Sequence, residues 1–281
     1  MTDKPRDASA YAKADVELVR ATCLYLATKL GDLMDELVIV GGLVPSLLID
    51  QVALPDGVSP HAGTRDLDLG LALAILDEGH YRTLTERLRA AGFTRDRNDE
   101  GNLTSQRWRI DAPATVTVDF LIPPGSATDR GGQLRNLEND FAAVITPGLL
   151  LAFRDRLPLT LEGSTILAEH AARTVQVCGP GAFVVLKALA FRGRGENKDA
   201  YDLYYVLRNF GAGVAAVAGH LKPLLDDADT LSALQILKQD FAAPDFVGPR
   251  RLADFLVRRP DDRLQTEVVA LVARLLQTLG I

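Results

Sequence analysis

Cysteine, long apolar runs and an N-terminal targeting pattern are scarce or missing in this chain of 281 residues. Its two cysteines, Cys23 and Cys178, lie far apart and lack metal-ligand spacing, which indicates thiols in a reducing compartment and excludes a disulfide scaffold. No apolar run is long enough to span a bilayer. The polar, acid-containing first residues fit neither a signal peptide nor a transit peptide. These absences predict a cytoplasmic protein with no membrane partner.

An excess of positive charge is also missing, since the formal net charge is −6. The chain is therefore not a general electrostatic binder of nucleic acid. Arginines are nevertheless frequent between positions 82 and 109, where aspartate and glutamate accompany them. We expect a solvated surface of mixed charge there, and a local basic groove is the alternative.

Hydrophobic periodicity predicts alternating helices and strands in the first part of the chain. The pattern, without internal repeats, predicts helices over 14–33, 43–49 and from a cap at Asp77 to Ala91, and strands over 36–42, 64–73, 105–110 and 115–122. This order is typical of a mixed α/β (α+β) domain.

The second part of the chain changes character near Gly179. A loop is predicted to about residue 139, and short strands over 157–161 and 174–178 are expected to extend the first sheet. From Pro180 onward the pattern is almost entirely helical, with the first helix running through Ala190. We therefore predict a first domain over 1–178, with a tail over about 1–13, and a helical lobe over 179–281.

Two carboxylates stand two residues apart in the predicted strand, at Asp66 and Asp68. A strand places both on one face with Cα atoms about 6.5 Å apart. Asp119 interrupts another apolar strand, where an uncompensated carboxylate would be costly. Three acids on neighbouring strands suit the binding of two Mg²⁺ ions for phosphoryl transfer. The alternative is that these acids merely begin or end strands.

Gly41 and Gly42 are predicted to end a strand and open a helix, where backbone N–H groups can meet a phosphate. Ser46 follows and could add a hydroxyl group, although a serine within a helix is more often a surface residue. A lone Gly-Gly pair is weak support, because most such pairs are turns.

A third group of charged residues lies in the predicted helical lobe. Lys187 interrupts an apolar helix and reaches either solvent or a triphosphate. Arg192 and Arg194 are expected in a flexible glycine turn, suited to binding phosphate. Asp199 and Asp202 share a helix face, where they serve the site or simply complement the helix dipole.

Taken together, these motifs resemble the AbiEii-type nucleotidyltransferases, which include toxins of bacterial toxin–antitoxin and phage-defence systems. The resemblance covers about residues 36–210 and rests on Val-Gly-Gly-Leu-Val-Pro-Ser, Thr-Arg-Asp-Leu-Asp-Leu, Val-Asp-Phe-Leu, Lys-Ala-Leu-Ala-Phe-Arg and Lys-Asp-Ala-Tyr-Asp-Leu. Where related transferases carry Gly-Ser, this chain has Gly41-Gly42. The resemblance implies a polymerase-β-like nucleotidyltransferase fold with a mixed sheet and a C-terminal helical lobe. It also implies that Lys187, Asp199 and Asp202 complete the site.

The expected reaction is transfer of a nucleoside monophosphate from an NTP to an acceptor. Asp66 and Asp68 would hold Mg²⁺. Asp119 would complete the ligands of a second metal ion and help to activate the acceptor hydroxyl. The residues expected to position phosphates are Gly41, Gly42, Ser46, Lys187, Arg192 and Arg194.

The acceptor is open at this point. The resemblance implies RNA, namely the 3′ end of tRNA, and a cognate antitoxin as a further partner. The alternatives are a protein or small-molecule acceptor, such as an aminoglycoside, and a catalytically silent member that binds a nucleotide or a partner protein.

Overall fold

The structure, a computed structural model, describes residues 5–72, 78–112 and 114–281. The helix cap predicted at Asp77 and the end of the strand predicted at Leu73 lie outside these residues. The chain divides into two compact units. The first holds residues 13–44 and 63–178, and the second holds residues 5–12, 45–62 and 179–281. The second unit thus includes two segments that the sequence analysis assigned to the first domain.

The first unit contains a single mixed sheet. Its strands among the described residues are β1 (Leu37–Val40), β2 (Asp66–Leu71), β3 (Thr94–Arg97), β4 (Leu103–Ile110), β5 (Val116–Ile122), β6 (Leu134–Glu138), β7 (Phe141–Ile145), β8 (Arg156–Ser164) and β9 (His170–Cys178). The main path of the sheet runs β3-β4-β5-β2-β1-β9-β8, and β7 pairs with both β5 and β6. The pairs β2/β5, β1/β9 and β5/β7 are parallel, and the remaining pairs are antiparallel. Strand β2 therefore lies in the middle of the sheet.

Helices make up the rest of the regular structure. Among the described residues they are α1 (Lys13–Leu30), α2 (Val44–Leu48), α3 (Glu78–Ala90), α4 (Leu151–Arg154), α5 (Pro180–Arg194), α6 (Asn197–Asn209), α7 (Val214–Leu221), α8 (Ala228–Asp240), α9 (Val247–Val257) and α10 (Asp262–Leu279). No helix in the described part of the chain combines the length and the apolar character that a membrane crossing requires.

Helix α1 shows why the periodicity of the sequence was informative. Val19, Cys23, Leu26 and Leu30 recur at helical spacing, and all four are buried. Because residues three and four apart share one face of a helix, this side of α1 packs into the core of the first unit.

The helical unit is built around aromatic and aliphatic side chains. The rings of Phe191 on α5 and Phe241 at the end of α8 lie 5.4 Å apart between centroids, and both residues are buried. Pro180 occupies the first turn of α5, where its missing N–H has no helical partner to lose. The mixed α/β fold and the helical character of residues 179–281 are as predicted.

The structure corrects the predicted elements at several places. Strands β3, β6 and β7 were not predicted; β6 lies within the predicted loop, and β7 begins just after it. Strands β8 and β9 do extend the sheet, but each spans nine residues. Helix α5 continues past Ala190 to Arg194 and ends at Gly195, whose φ of +72° gives a left-handed cap. Arg192 and Arg194 therefore lie in the last turn of a helix and not in a flexible turn.

Candidate functional site

Strand β2 presents two carboxylates on one face of the sheet. Leu67 and Leu69 are fully buried, whereas the alternating Asp66 and Asp68 are only half-buried. Because side chains alternate along a strand, the two leucines anchor β2 in the core and the two acids face the opposite side.

Strand β5 runs parallel to β2 and adds polar groups to the same face. Asp66 lies beside Thr117, and Asp68 lies beside Asp119. The hydroxyl of Thr117 donates a 2.6 Å hydrogen bond to Oδ1 of Asp66. This bond restricts the rotamer of Asp66, so the carboxylate is held in place by its neighbouring strand.

Asp119 is bound by an arginine from the next strand. Arg107 on β4 is its register partner, and its Nε and Nη2 donate to the two carboxylate oxygens at 2.7 Å and 2.5 Å. This is the bidentate geometry in which arginine binds carboxylates most strongly. The hydrogen bond to Asp119 raises the pKa of Arg107 above its ordinary value, and the charges of Asp119, Asp66 and Asp68 add to this effect.

Gly41 makes room for Asp68. Its φ is +73°, and a Cβ atom built on it would lie 1.9 Å from Oδ2 of Asp68. Any larger residue would therefore collide with the carboxylate and also suffer backbone strain. Gly41 and Gly42 begin a short 3-10 turn, followed by the five residues of α2. The direct role that the structure gives Gly41 is steric, and phosphate binding by this turn stays a prediction.

The strand carboxylates, Asp66, Asp68 and Asp119, offer hard oxygen ligands. Within the described ranges no group of three or more His, Cys, Asp or Glu side chains is arranged to hold a metal ion. Mg²⁺, however, is usually bound by one or two carboxylates together with substrate phosphates and water. Asp66 and Asp68 fit that mode, in which the ion arrives with its nucleotide. Both oxygens of Asp119 accept hydrogen bonds from the cationic side chain of Arg107.

The second unit contains a buried ion cluster, defined here as Lys187, Lys198, Arg194, Asp199, Asp202 and His61. Nζ of Lys187 lies 3.0 Å from Oδ1 of Asp199 and 2.6 Å from Oδ2 of Asp202. The Lys187 side chain is 7% exposed, and those of both aspartates are 0% exposed. The packing of α5 on α6 therefore encloses a lysine between two carboxylates.

Each aspartate in the cluster has further partners. Arg194 donates from Nε and Nη2 to Asp199 at 2.8 Å and 2.7 Å. Nζ of Lys198 lies 2.9 Å from Oδ1 and 3.0 Å from Oδ2 of Asp202. Nε2 of His61 lies 2.9 Å from the same Oδ1. Each carboxylate thus satisfies the rule that buried charges are paired and hydrogen-bonded.

His61 is held by aromatic rings as well as by Asp202. Its ring stacks on Tyr201 at 5.1 Å and meets Tyr205 edge-on at 4.9 Å. The next residue, Ala62, donates its backbone N–H to the Tyr201 hydroxyl at 2.8 Å. Burial lowers the pKa of His61 to about 4 despite the opposing effect of Asp202. The imidazole is therefore neutral at pH 7 and donates its Nε2 proton to Asp202.

Burial and charge act in opposite directions on the pKa of each charged partner. For Asp199 and Asp202, burial alone would raise the pKa. It falls instead, because Lys187 and Arg194 outweigh burial at Asp199, and Lys187 and Lys198 outweigh it at Asp202. For Lys187, burial is outweighed by the two carboxylates and the pKa rises. For Lys198, burial prevails and the pKa falls. Both acids remain ionised at neutral pH.

Comparisons with known proteins give no family for the chain. No protein-family model matches the sequence, and no curated protein matches it. One solved structure that it resembles is that of an antigenic nucleotidyltransferase-like protein from Paracoccidioides brasiliensis, with 16% identity over 79% of this chain and 88% of that chain and a TM-score of 0.41. At these values the likeness assigns neither a fold family nor an activity.

The sequence-predicted residues form two groups, and Arg192 and Ser46 belong to neither. The first unit brings Asp66, Asp68 and Asp119 together on neighbouring strands. Asp68 is the register partner of Asp119 and lies beside Gly41. The second unit brings Lys187, Asp199, Asp202 and Arg194 together. Arg192 is in neither group, since it pairs with Asp240 at 2.8 Å. Oγ of Ser46 lies 3.5 Å from Nδ1 of His61, a distance too long for a strong hydrogen bond.

Four residues that the structure places in these groups were missed, and one of them, Lys198, directly precedes the predicted Asp199. Arg107 was included in a mixed-charge surface, although its position one residue before the buried Trp108 could have placed it on the polar face of β4. Thr117, two residues before Asp119, carried the same alternation signal. His61 stands in a loop with Pro and Gly, and no periodic pattern there indicates its burial.

Proposed function

We propose that the chain is a nucleotidyltransferase that moves a nucleoside monophosphate from an NTP to an acceptor hydroxyl. The observation that carries the proposal is the arrangement of Asp66 and Asp68 on the polar face of a central strand, with Asp119 in register beside them. The glycine turn at Gly41, shaped around Asp68, supports it further.

Asp66 and Asp68 are the residues that would hold Mg²⁺ together with the triphosphate. When bound, the ion neutralises phosphate charge and stabilises the leaving pyrophosphate. Thr117 fixes the orientation of Asp66 through its 2.6 Å hydrogen bond. Gly41 leaves the space that the carboxylate of Asp68 occupies.

The reaction itself exchanges a phosphoanhydride bond of the NTP for a phosphoester bond to the acceptor. The acceptor oxygen forms a bond to the α-phosphorus, the bond from that phosphorus to the pyrophosphate oxygen breaks, and the hydroxyl proton is released. Little covalent chemistry is asked of the protein, so positioning and charge account for most of the rate.

The charged residues of the second unit are engaged with one another. Lys187 is enclosed by Asp199 and Asp202, and these contacts explain its burial without a ligand. Arg194 is similarly engaged by Asp199. Participation of these residues, of Arg192 and of Ser46 in nucleotide binding therefore stays a prediction.

Transfer to the 3′ end of tRNA, a toxin role with a cognate antitoxin and a cytoplasmic location are proposed from the sequence resemblance alone. Nucleotidylation of a protein or of a small molecule such as an aminoglycoside would use the same strand carboxylates. The pairing of Asp119 with Arg107 favours a further alternative, a member that binds nucleotide without turnover. Nucleotide binding by calorimetry with no release of pyrophosphate would identify that case.

The experiment that tests the proposal is transfer of α-³²P from each of the four NTPs, with Mg²⁺, to total bacterial RNA and protein. Asp66→Ala is the test variant. Asp140→Ala is the matched control, because Asp140 belongs to the same unit but is half exposed and paired with Arg95. Label in a tRNA-sized band that only Asp66→Ala loses would support transfer to RNA.

The other outcomes of this experiment are equally informative. Label on protein would keep the chemistry and change the acceptor. If tRNA whose 3′ end has first been oxidised with periodate still accepts label, 3′-end extension is excluded. No label on RNA or protein, together with none on added aminoglycosides, would contradict the proposed activity.

A further inference from the structure

Three neighbouring strands carry a row of charged side chains across the polar face of the sheet. We call Arg107 on β4, Asp119 on β5 and Asp68 on β2 the charged row, because they are register partners in that order. The row matters for metal binding. Three carboxylates on this face would suit two divalent ions, but the guanidinium of Arg107 already provides a positive charge at Asp119.

Arg107 engages both oxygens of Asp119. The two hydrogen bonds, at 2.7 Å and 2.5 Å, are of the charge-assisted bidentate type. The side chains of Arg107 and Asp119 are only 17% and 13% exposed, so water screens this pair weakly. Asp119 thus has a fixed partner of positive charge on the side away from Asp68.

A second ion at Asp119 would have to share this carboxylate with the guanidinium. Carboxylate oxygens have lone pairs to spare, but an ion on them would lie beside a group of the same sign. Asp66 and Asp68 together carry the charge that one divalent ion neutralises. The row therefore matches one ion plus one arginine better than two ions.

We propose that Arg107 takes the place of a second metal ion at Asp119, so that the site holds a single divalent ion on Asp66 and Asp68. Arg107 is then a positioning residue that keeps Asp119 oriented and unavailable as a metal ligand. This inference rests on the proposed function, because it concerns the ion that accompanies the NTP.

The next arginine along β4 provides a matched control. Arg109 is two residues from Arg107 and lies beside Thr117 in register. It pairs with Asp96 at 3.6 Å and with Asp111 at 3.3 Å. Neither of these acids belongs to the charged row. Arg109→Gln therefore removes the same charge from the same strand without releasing Asp119.

The test counts Mn²⁺ ions bound to the full chain, by electron paramagnetic resonance of free Mn²⁺ during a titration. Each titration contains the α,β-methylene analogue of one of the four NTPs, and blanks without protein correct for Mn²⁺ on free nucleotide. We expect one ion per wild-type chain and one in Arg109→Gln. Arg107→Gln is expected to bind two, because it frees Asp119.

Substitution of the carboxylates supplies a second readout that does not depend on Arg107. Asp68→Asn should weaken Mn²⁺ binding by about 10–100-fold or more, the range seen even for residues that only support metal ligands. Asp119→Asn should leave the Mn²⁺ affinity of the first ion unchanged. If Arg107→Gln fails to fold, the double variant Arg107→Gln/Asp119→Asn removes both charges and should fold with one ion.

The outcomes separate this inference from the proposed function. Two ions in the wild-type chain, or a loss of affinity in Asp119→Asn comparable with that in Asp68→Asn, would overturn the role of Arg107 and leave the transferase proposal standing. One ion in folded Arg107→Gln would also overturn it. No Mn²⁺ binding with any analogue would instead remove the metal site itself, and both proposals with it.

Discussion

The strand carboxylates of the first unit and the buried ion cluster of the second use the same residue types in different surroundings. Asp66 and Asp68 are half-buried on a polar sheet face, whereas Asp199 and Asp202 are fully enclosed and paired with lysine and arginine. A buried ion pair contributes little net stability, but removing one partner is costly. The comparison teaches that acids at helical spacing and acids at strand spacing, equally visible in the sequence, can lie in very different surroundings, the first fully paired and buried, the second half-buried on a polar face.

The largest effect is expected from breaking the buried ion cluster. Lys187→Met keeps the length of the side chain but leaves Asp199 and Asp202 without their shared cation. We expect a loss of roughly 3–5 kcal/mol in the free energy of unfolding, as for other broken buried ion pairs. Urea denaturation at pH 7 measures it, with the exposed Lys238→Met as the control. A loss similar to that of the control would show that the cluster is not needed for stability.

Substitution of a strand carboxylate should lower activity and leave stability almost unchanged, the reverse of what is expected for the buried ion cluster. Asp68→Asn is expected to lower the transfer rate by about 10²–10³-fold, the scale observed when one electrostatic group of a catalytic site is removed. Unfolding should be little changed, because Asp68 is half-buried and the variant has the same shape. The pair of measurements is α-³²P transfer and thermal melting, with Asp140→Asn as the control. Retained turnover would remove Asp68 from the site.

The third effect is the pH dependence of the unfolding free energy that His61 gives to the buried ion cluster. Burial lowers the pKa of His61 to about 4 from an ordinary 6.5. The unfolded chain therefore takes up this proton at higher pH than the folded chain, so the stabilisation is complete above pH 6.5 and is lost as the pH falls toward 4. The loss attributable to His61 is at most about 3 kcal/mol.

Urea denaturation between pH 7 and pH 4 tests this assignment. His61→Gln should flatten the dependence of unfolding free energy on pH in that window. His170→Gln, at an exposed position of β9, is the control and should leave the slope unchanged. The same slope in wild-type and His61→Gln chains would contradict the assignment.

The smallest effect is expected outside both clusters. Arg192→Gln removes an ion pair with Asp240 in which the arginine is 47% exposed. Such surface pairs contribute about 0–1 kcal/mol, so urea denaturation should show a change in this range. A larger loss would mean that the end of α5 depends on this pair far more than its exposure implies.

Much of the fold followed from local patterns. The alternation around Asp66 and Asp68 located β2, and the spacing of Val19, Cys23 and Leu26 located α1. These predictions succeeded because one face of each element is buried and the other is not. The C-terminal helices were predictable for the same reason.

Other elements depend on pairing that no local pattern reveals. Strand β3 consists of Thr94-Arg-Asp-Arg97, with no apolar alternation, and it forms because β4 offers a partner. Strand β7 contains two alanines, which have low strand propensity, but it pairs with both β5 and β6. Tertiary context overrides propensity at both places.

The candidate site was predictable as residue types and not as contacts. The sequence indicated that Asp119 needs a counter-charge or solvent, and it did not indicate Arg107 as the partner, because strand pairing is long-range information. His61 was missed for a similar reason, since its burial depends on aromatic rings about 140 residues later in the chain.

The exchange of segments between the two units has a consequence for dividing the protein. The chain leaves the sheet-bearing unit after Val44 and returns at Gly63, three residues before Asp66. A fragment ending at Cys178 would retain His61 and Ala62 but lose Asp202 and Tyr201, to which they are bonded. No single cut therefore yields two self-contained pieces. Expression of separate domains, split reporters and circular permutants must keep residues 45–62 with the helices.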